Sequence, residues 1–219
     1  MNKYVKEAIL IGIALLPYLY LSQIWSSLPD QVPTHFGIDG KPNDYSSKYM
    51  LAIFPALFGL GFYAICLFAP KIDPKKRIEQ MGEKYYSLRL LLGGFFSFMV
   101  FYIIYAAYKG EMSNPGILLG GLGGLFAILG NYFQTVRPNY FIGIRTPWSL
   151  ENEDNWKATH RLAGKLWMAG GLTIMGVCIF ISKPEILIGL FLGITLFIAF
   201  VPMGYSYWFF NQQKKSNNG

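Results

Sequence analysis

The sequence has few of the residues that characterise soluble domains, disulfide frameworks and metal sites. Charged residues make up only 14% of the 219 residues, whereas a typical soluble domain carries about a quarter. The two cysteines, Cys66 and Cys178, lie in apolar runs without CxxC spacing, which excludes a disulfide framework and favours buried thiols. Because the chain also has only two histidines, we expect no metal and no other cofactor.

The chain has long, uncharged apolar runs instead. A helix needs about 20 apolar residues to cross a hydrocarbon core about 30 Å thick. Six runs of roughly this length contain no Lys, Arg, Asp, Glu or His: Ala8–Trp25, Tyr49–Ala69, Leu90–Tyr108, Ile117–Val136, Leu166–Ser182 and Ile186–Phe210. We therefore predict an all-α polytopic membrane protein with six transmembrane helices in one bundle.

Basic residues are distributed unevenly over the connections between these runs. If the N-terminus is inside, the inner segments hold 15 of the 19 Lys and Arg residues. The other four are Lys41, Lys48, Lys109 and Lys183. The positive-inside rule then predicts that both termini are cytoplasmic. The net charge of +7 reflects this distribution and favours contact with anionic membrane lipid over direct nucleic-acid binding.

The connections divide the chain into two predicted parts. Residues 1–89 contain two spans and a structured outer loop at 26–48, and residues 90–219 contain four spans and a cytoplasmic motif loop at 137–165. In the fourth span, Gly116, Gly120 and Gly124 form a small-residue stripe that permits close helix approach. We interpret the stripe as packing within the bundle, with a homodimer seam as the alternative.

The outer loop is rich in turn-forming residues, so we expect it to be compact and ordered. These residues are Pro29, Pro33, Gly37, Asp39, Gly40 and Pro42. In one interpretation, His35 and Asp39 bond the loop to itself and cap the second span. Recognition of an external ligand is a second interpretation, because ordered loops often carry function. Metal binding by His35 is a third, weakened because a lone histidine with aspartates is a poor ligand set.

The cytoplasmic loop concentrates charged and aromatic residues between the fourth and fifth spans. Pro138 should end the fourth helix, and Ser149 should cap a new one. On that helix, one face carries Trp156, His160, Ala163 and Trp167, and a neighbouring face carries Lys157, Arg161 and Lys165. We expect the helix to lie at the membrane interface with tryptophan anchors, before Gly164 leads it into the fifth span.

Acid–base catalysis in this loop would require His160 to act together with Glu153 or Asp154. These carboxylates lie six or seven residues away, and the more distant one is too far for direct contact. No nucleophile elbow, HExxH motif or phosphate-cradling glycine loop accompanies them. We therefore predict that the protein is not an enzyme and that the loop is interfacial or binds a partner.

Taken together, the two loops resemble a known family. Pro33–Lys48, PTHFGIDGKPNDYSSK, resembles the outer-loop signature of a widespread bacterial membrane domain of unassigned function. Asn139–Lys165, NYFIGIRTPWSLENEDNWKATHRLAGK, is similar to the hallmark of the SdpI family, with its GIRTPW core and its Trp-x-x-Thr-His-Arg end. The order and spacing of the motifs match over nearly the whole chain.

The resemblance implies a multi-pass protein of the bacterial plasma membrane that gives immunity to a secreted SDP-like antimicrobial peptide, a toxin that collapses the proton motive force. It also implies a toxin-sensing receptor that holds a cytoplasmic transcriptional repressor at the membrane. The family's inner motif falls here on Asn139, Gly143, Arg145, Thr146, Pro147, Trp148, Trp156, Thr159, His160 and Arg161. Its outer motif falls on Pro33, His35, Gly40 and Lys48, and we add Asp39 and Tyr45 from the same loop as toxin-contact candidates.

Two other functions stay open. A transporter or exporter of a peptide or small solute usually carries ionisable groups near the membrane midplane. The six runs have none, and their notable polar residues are Asn131, Gln134 and Thr173. A membrane-embedded hydrolase acting on the toxin would use His35 or His160, which the predicted topology places on opposite sides of the membrane.

Overall fold

The computed structural model describes residues 2–74, 76–140 and 142–217. Lys75, counted above among the inner basic residues, and Phe141 of the polar segment lie outside them. Within the described residues, six helical segments are long and apolar enough to cross a membrane: Lys3–Ser27, Tyr49–Ile72, Glu83–Lys109, Gly116–Phe133, Glu153–Phe180 and Pro184–Lys215. They confirm the predicted fold class, a helical protein with six spans.

The helices and strands follow one another in a simple order. The first half contains α1 Lys3–Ile24, a 3-10 turn Trp25–Ser27, strands β1 Gln31–Phe36 and β2 Pro42–Ser47, helix α2 Tyr49–Phe54, a π-helical stretch Pro55–Gly61 and α3 Phe62–Ile72. The second half contains α4 Arg77–Gln80, α5 Glu83–Lys109, α6 Gly116–Phe133, α7 Pro147–Glu151, α8 Glu153–Phe180 and α9 Pro184–Asn217.

Several of the long helices extend beyond the apolar runs that predict them. Helix α1 begins at Lys3, α5 at Glu83 and α8 at Glu153, so each has charged residues before its apolar run, and α9 continues past its run to Asn217. Helix α6 ends at Phe133 and not at Val136, because the Thr135 and Val136 amides bond to the Tyr132 and Phe133 carbonyls in a turn. Apolar composition locates a span, whereas backbone hydrogen bonds set the ends of its helix.

One compact unit consists of Met1–Ile72 and Gly82–Leu118. Its largest buried cluster joins α1, the hairpin, α2 and α5 through Leu21, Ile24, Leu28, Val32, Leu51, Val100, Ile104 and Ala107. Within the second span, Pro55 has no N–H to donate, and the π-helical stretch begins there. A Cβ added at Gly59 in that stretch would lie 2.8 Å from the Ala14 carbonyl oxygen, so glycine permits close contact with α1.

A second compact unit consists of Asp73–Met81 and Leu119–Gly219. Helices α6 and α8 meet in it through glycines seven residues apart: Gly123 faces Gly171, and Gly130 faces Gly164. A Cβ added at Gly164 would lie 2.7 Å from the Gly130 carbonyl oxygen. Gly120 and Gly124 of the predicted stripe also face α8, but an added Cβ there would meet Cys178 and Met175 at ordinary distances of 3.7 and 3.6 Å, so the closest approach is at Gly123 and Gly130.

Candidate functional site

The polar segment after α6 begins with a turn that Asn139 closes. Its buried side chain donates from Nδ2 to the Arg137 carbonyl at 2.8 Å and to the Ile142 carbonyl at 3.2 Å. Its Oδ1 accepts the Ile142 amide at 2.7 Å. One side chain thus satisfies three backbone groups, which gives Asn139 a bracing role.

His160 of α8 holds the next part of the segment. Its Nε2 lies 3.0 Å from the Ile144 amide, and its Nδ1 lies 2.9 Å from the Trp156 carbonyl. Because an amide only donates and a carbonyl only accepts, Nδ1 carries the proton and the ring is neutral. Gly143 precedes Ile144 with φ +106°, and a Cβ there would run into the His160 ring. Glycine thus lets the chain pass beside the imidazole.

Thr146 and Ser149 form a capping box at the start of α7. The Thr146 hydroxyl accepts the Ser149 amide at 3.1 Å, and the Ser149 hydroxyl accepts the Thr146 amide at 3.1 Å. Pro147 occupies the first turn, where its missing N–H costs nothing. The prediction that Ser149 is the N-cap was wrong, because the cap is Thr146 and Ser149 is its reciprocal partner.

Asn152 separates the predicted single helix into α7 and α8. Its backbone is extended, with φ −130° and ψ 116°, and its side chain accepts the amides of Asp154 and Asn155. Its Nδ2 also donates to Gln213 of α9 at 2.9 Å. Helix α8 then continues through Gly164 to Phe180 without a break, so the residues from Glu153 to Lys165 belong to the same helix as the fifth span.

Asn155 is at the centre of a buried polar network that joins α8 to α9. Its Nδ2 donates to the Ser206 carbonyl at 2.8 Å, and its Oδ1 accepts the hydroxyls of Ser206 at 2.8 Å and Thr159 at 3.0 Å. The Ser206 hydroxyl also lies 2.7 Å from that of Thr146. All four side chains are buried. The network thereby fixes both α7 and α8 against α9.

The two motif tryptophans pack within this unit. Trp156 is 1% exposed and donates its indole N–H to the Val136 carbonyl at 2.8 Å. The prediction that Trp156 anchors the helix at the membrane interface was therefore wrong, since its indole is buried and donates to the carbonyl that ends the turn after α6. Trp148 is half-buried against Tyr207 and Phe210 of α9, with ring centroids 4.9 and 6.5 Å away.

Most motif residues thus fall into a buried group and an exposed group, and Gly143 and Trp148 are half-buried. The buried group, which braces the segment, comprises Asn139, Thr146, Trp156, Thr159 and His160. The exposed group comprises Arg145, Pro147 and Arg161. The Arg145 guanidinium bonds to the Tyr140 carbonyl at 2.5 Å. In the described structure, both His160 ring nitrogens bond to backbone groups and neither to Glu153 or Asp154.

The outer-loop candidates lie on a two-stranded antiparallel hairpin, which confirms the compact ordered loop. Strand pairing places Pro33 opposite Tyr45 and His35 opposite Asp44. The His35 Nδ1 lies 2.5 Å from Asn43 Oδ1, and Asp39 accepts the Lys41 amide at 3.1 Å. Both side chains therefore hold the loop to itself. Neither caps the second span, whose N-cap is Lys48.

Three contacts attach the hairpin to its unit. The Met112 amide, after α5, donates to the Gly40 carbonyl at 2.9 Å. Lys48 makes a 3.0 Å ion pair with Asp30 and lies 5.6 Å from the centre of the Trp25 ring. The exposed surface includes Ile38 and Tyr45, at 54% and 55%. In the described ranges, no three His, Cys, Asp or Glu side chains cluster closely enough to hold a metal ion.

A second polar cluster lies where α1 and α5 leave the apolar runs. Arg89 donates from both terminal nitrogens to the two carboxylate oxygens of Glu7, at 2.8 and 2.7 Å. Tyr63 donates its hydroxyl to Glu7 at 2.9 Å, and the Arg89 guanidinium lies 5.5 Å from the Tyr63 ring centre. Arg89 is only 8% exposed and the Glu7 side chain 22%, so this is a partly buried ion pair that joins three helices.

Sequence reasoning missed the residues that complete both clusters. Ser206 lies in the sixth apolar run, 51 residues after Asn155. A hydroxyl in an apolar run indicates a hydrogen bond to a neighbouring helix, and this was the available signal. Glu7 and Arg89 each lie one residue outside an apolar run; Arg89 was counted only for the bias of basic residues, and Glu7 was not considered. Their pairing depends on how the helices pack, which spacing along one chain does not reveal.

Comparisons with known proteins match two regions of the chain, one that holds the hairpin and one that holds the motif segment and the Asn155 network. Residues 135–206 match the SdpI/YfhL protein family, and residues 12–59 match a domain of unknown function, DUF1648. The first match ends at Ser206, the α9 residue that closes the Asn155 network. The second match contains part of α1, the hairpin, α2 and part of the π-helical stretch.

Two relatives extend the comparison. The chain is 26% identical over 212 residues to "Immunity protein SdpI" of Bacillus subtilis (strain 168), covering 93% of this chain and 96% of the relative. It is 48% identical over 52 residues to an "Uncharacterized protein" of Archaeoglobus fulgidus, covering 24% of this chain and 28% of the relative. No solved structure matches. With its six candidate spans, and with residues 135–206 similar to the SdpI/YfhL family around the motif of His160 and Asn155, the chain is a multi-pass bacterial membrane protein.

Proposed function

We propose that this protein gives its cell immunity to a secreted SDP-like antimicrobial peptide. The observation that carries the proposal is the similarity to an immunity protein over 93% of this chain. The arrangement of side chains is consistent with a role that requires no catalysis. His160 uses both ring nitrogens for backbone bonds, and His35 bonds to Asn43 within the hairpin.

The hairpin is the surface that we propose for toxin contact. It is held rigidly through Gly40 and Lys48, and it exposes Ile38, Tyr45 and His35. Exposed aromatic and aliphatic side chains on a rigid support suit an apolar peptide, because their ordering costs little entropy on binding. The bias of basic residues supports an outer position for this hairpin and cytoplasmic termini.

The motif segment is the surface that we propose for signalling to a cytoplasmic transcriptional repressor. Its buried residues hold a fixed backbone, and Arg145, Pro147 and Arg161 remain exposed on it. Exposed arginine suits an acidic partner, because its planar guanidinium can donate two hydrogen bonds to the two oxygens of one carboxylate. In this proposal the buried residues support the platform and the exposed Arg145 contacts the partner, whereas Arg161 faces the groove between α8 and α9.

A survival assay in a toxin-sensitive bacterium separates these roles. Wild-type protein should restore growth under purified SDP peptide, and the hairpin double variant Ile38→Ser/Tyr45→Ser should lose protection at equal membrane abundance. Arg145→Ala should keep protection while releasing the repressor from the membrane fraction in toxin-treated cells. Growth no better than with empty vector would refute immunity. Unchanged repressor retention with Arg145→Ala would refute only the docking role.

Transport of a peptide or small solute is the second candidate, favoured by the partly buried Glu7–Arg89 pair at the ends of the apolar runs of α1 and α5. Ionisable groups within membrane helices often mark substrate or ion pathways. Proteoliposomes loaded with labelled peptide would test this candidate, with Arg89→Leu as the paired variant. Peptide flux that depends on Arg89 would favour transport over a purely protective role.

A further inference from the structure

A groove of about 530 Å³ lies between the first half of α8 and the last third of α9. One side carries Lys157, Arg161 and Lys165, and the other carries Tyr205 and Phe209. Ala158 and Leu162 complete its apolar lining, and Asp154 contributes its one carboxylate. The lining therefore combines three cations with an aromatic and aliphatic surface.

The three cations form a single stripe on α8. They recur every four residues, and at about 1.5 Å of rise per residue the stripe extends over roughly 12 Å. All three side chains are exposed, and none makes an ion pair within the described parts of the chain. With Asp154 as the only acidic lining residue, the groove has a surplus of two positive charges.

The groove lies at the boundary between apolar and polar sequence on both helices. Lys165 directly precedes the apolar run that begins at Leu166, and Phe209 is one residue from the end of the run that closes at Phe210. Tyr205 packs against the half-exposed Trp208, with ring centroids 5.5 Å apart. Aromatic residues of this kind occupy the level of the lipid headgroups.

We propose that this groove binds an anionic phospholipid, with its phosphate among Lys157, Arg161 and Lys165. The acyl chains would follow the apolar surface that begins at Leu162 and continues along α8 into the membrane. Basic pockets between membrane helices recognise anionic headgroups in this way, by charge and by adjoining apolar surface. An acidic protein segment could pair with the three cations, but it would leave the adjoining apolar surface of the groove without a partner. The site is distinct from the proposed immunity function and does not depend on it.

Native mass spectrometry of the delipidated full-length protein in detergent tests the site by lipid titration. Phosphatidylglycerol should bind, and phosphatidylcholine should bind far more weakly. The variant Lys157→Gln/Arg161→Gln/Lys165→Gln should weaken phosphatidylglycerol binding on the order of 100-fold, because each basic residue near an anionic surface contributes about fivefold. The control variant Lys3→Gln/Lys71→Gln/Lys76→Gln removes three exposed lysines outside the groove and should bind as the wild type does.

Three further results distinguish the ligand. Lys157→Arg/Lys165→Arg should retain binding, since it preserves the charge. Glycerol phosphate should not displace the lipid, and competition at comparable concentration would identify a soluble phosphate site and overturn the proposal. Displacement by an oligoglutamate peptide would overturn it in favour of a protein ligand. Equal phosphatidylglycerol binding by the triple groove variant, folded as shown by an unchanged melting midpoint, would also overturn it.

Discussion

His160 and Trp156 stack on each other one turn apart on α8, with ring centroids 3.9 Å apart and planes inclined by 19°. The stack places the imidazole against the Ile144 amide and the indole N–H against the Val136 carbonyl. One pair of rings thus fastens both the start and the middle of the polar segment to α8. The motif that resembles a catalytic cluster in sequence is a structural clamp in the folded chain.

Replacing His160 should therefore destabilise the protein through its hydrogen bonds. His160→Phe keeps the aromatic stack but leaves the Ile144 amide without its acceptor. We expect the free energy of unfolding to fall by about 1–3 kcal/mol, the cost of an unpaired buried polar group. Thermal melting followed by tryptophan fluorescence in detergent measures this loss. The exposed His35→Phe is the control, and equal melting midpoints for the two variants would contradict the clamp.

Gly143→Ala tests the close passage beside the same imidazole. Its φ of +106° is strained for a residue with a Cβ, and that atom would strike the His160 ring. Gly82→Ala is a matched control, because Gly82 also has positive φ, +52°, but has open space around its Cβ position. We expect the melting midpoint to fall further for Gly143→Ala. An equal fall would attribute the effect to backbone strain alone.

The Glu7–Arg89 pair predicts a non-additive response to mutation. Removing Glu7 leaves the buried Arg89 charge unpaired, which costs about 3–5 kcal/mol, and removing Arg89 should cost less because the Glu7 side chain is 22% exposed. Removing both with Glu7→Leu/Arg89→Leu should restore much of that loss. A double-mutant cycle by thermal melting measures the coupling. The control pair is Lys6 with the exposed Glu83, where either single replacement should have little effect. Additive losses for Glu7 and Arg89 would show that the pair is not coupled.

Close contact between α6 and α8 predicts that small additions at their glycines are harmful. Gly164→Ala places a methyl group against the Gly130 carbonyl and should cost about 1–3 kcal/mol through overpacking. Gly176→Ala, farther along α8 with nothing within 4 Å of the added atom, should be neutral or stabilising. Melting midpoints that rank the two variants in the opposite order would contradict this helix contact.

Much of the architecture could be predicted because the bilayer imposes a length and a composition on each span. The six apolar runs each fall on a long helical segment, and turn-forming residues at 29–42 indicated a compact ordered loop, which the structure shows to be a hairpin. Local choices were harder to predict. Thr146 and Ser149 are both residues that can cap a helix. The Thr146 hydroxyl also bonds to Ser206 of α9, and this contact is visible only in the folded chain.

Contacts between distant residues could not be predicted for a related reason. Every glycine of α6 is small enough for helix contact, and the rotation of α6 against α8 selects Gly123 and Gly130. The pairing of Glu7 with Arg89 likewise depends on how α1 and α5 are rotated about their axes. Which residues meet in these contacts depends on how the helices pack, and this cannot be derived from the spacing of residues along one sequence.

The membrane potential of toxin-challenged cells tests the central claim most directly. A potential-sensitive dye should report a stable potential in sensitive bacteria that express the wild-type protein and receive purified SDP peptide. Cells that carry empty vector should depolarise, and cells that express Ile38→Ser/Tyr45→Ser should depolarise as well. The account of immunity would be contradicted by depolarisation of wild-type-expressing cells to the level of the vector control, with the protein present in their membranes.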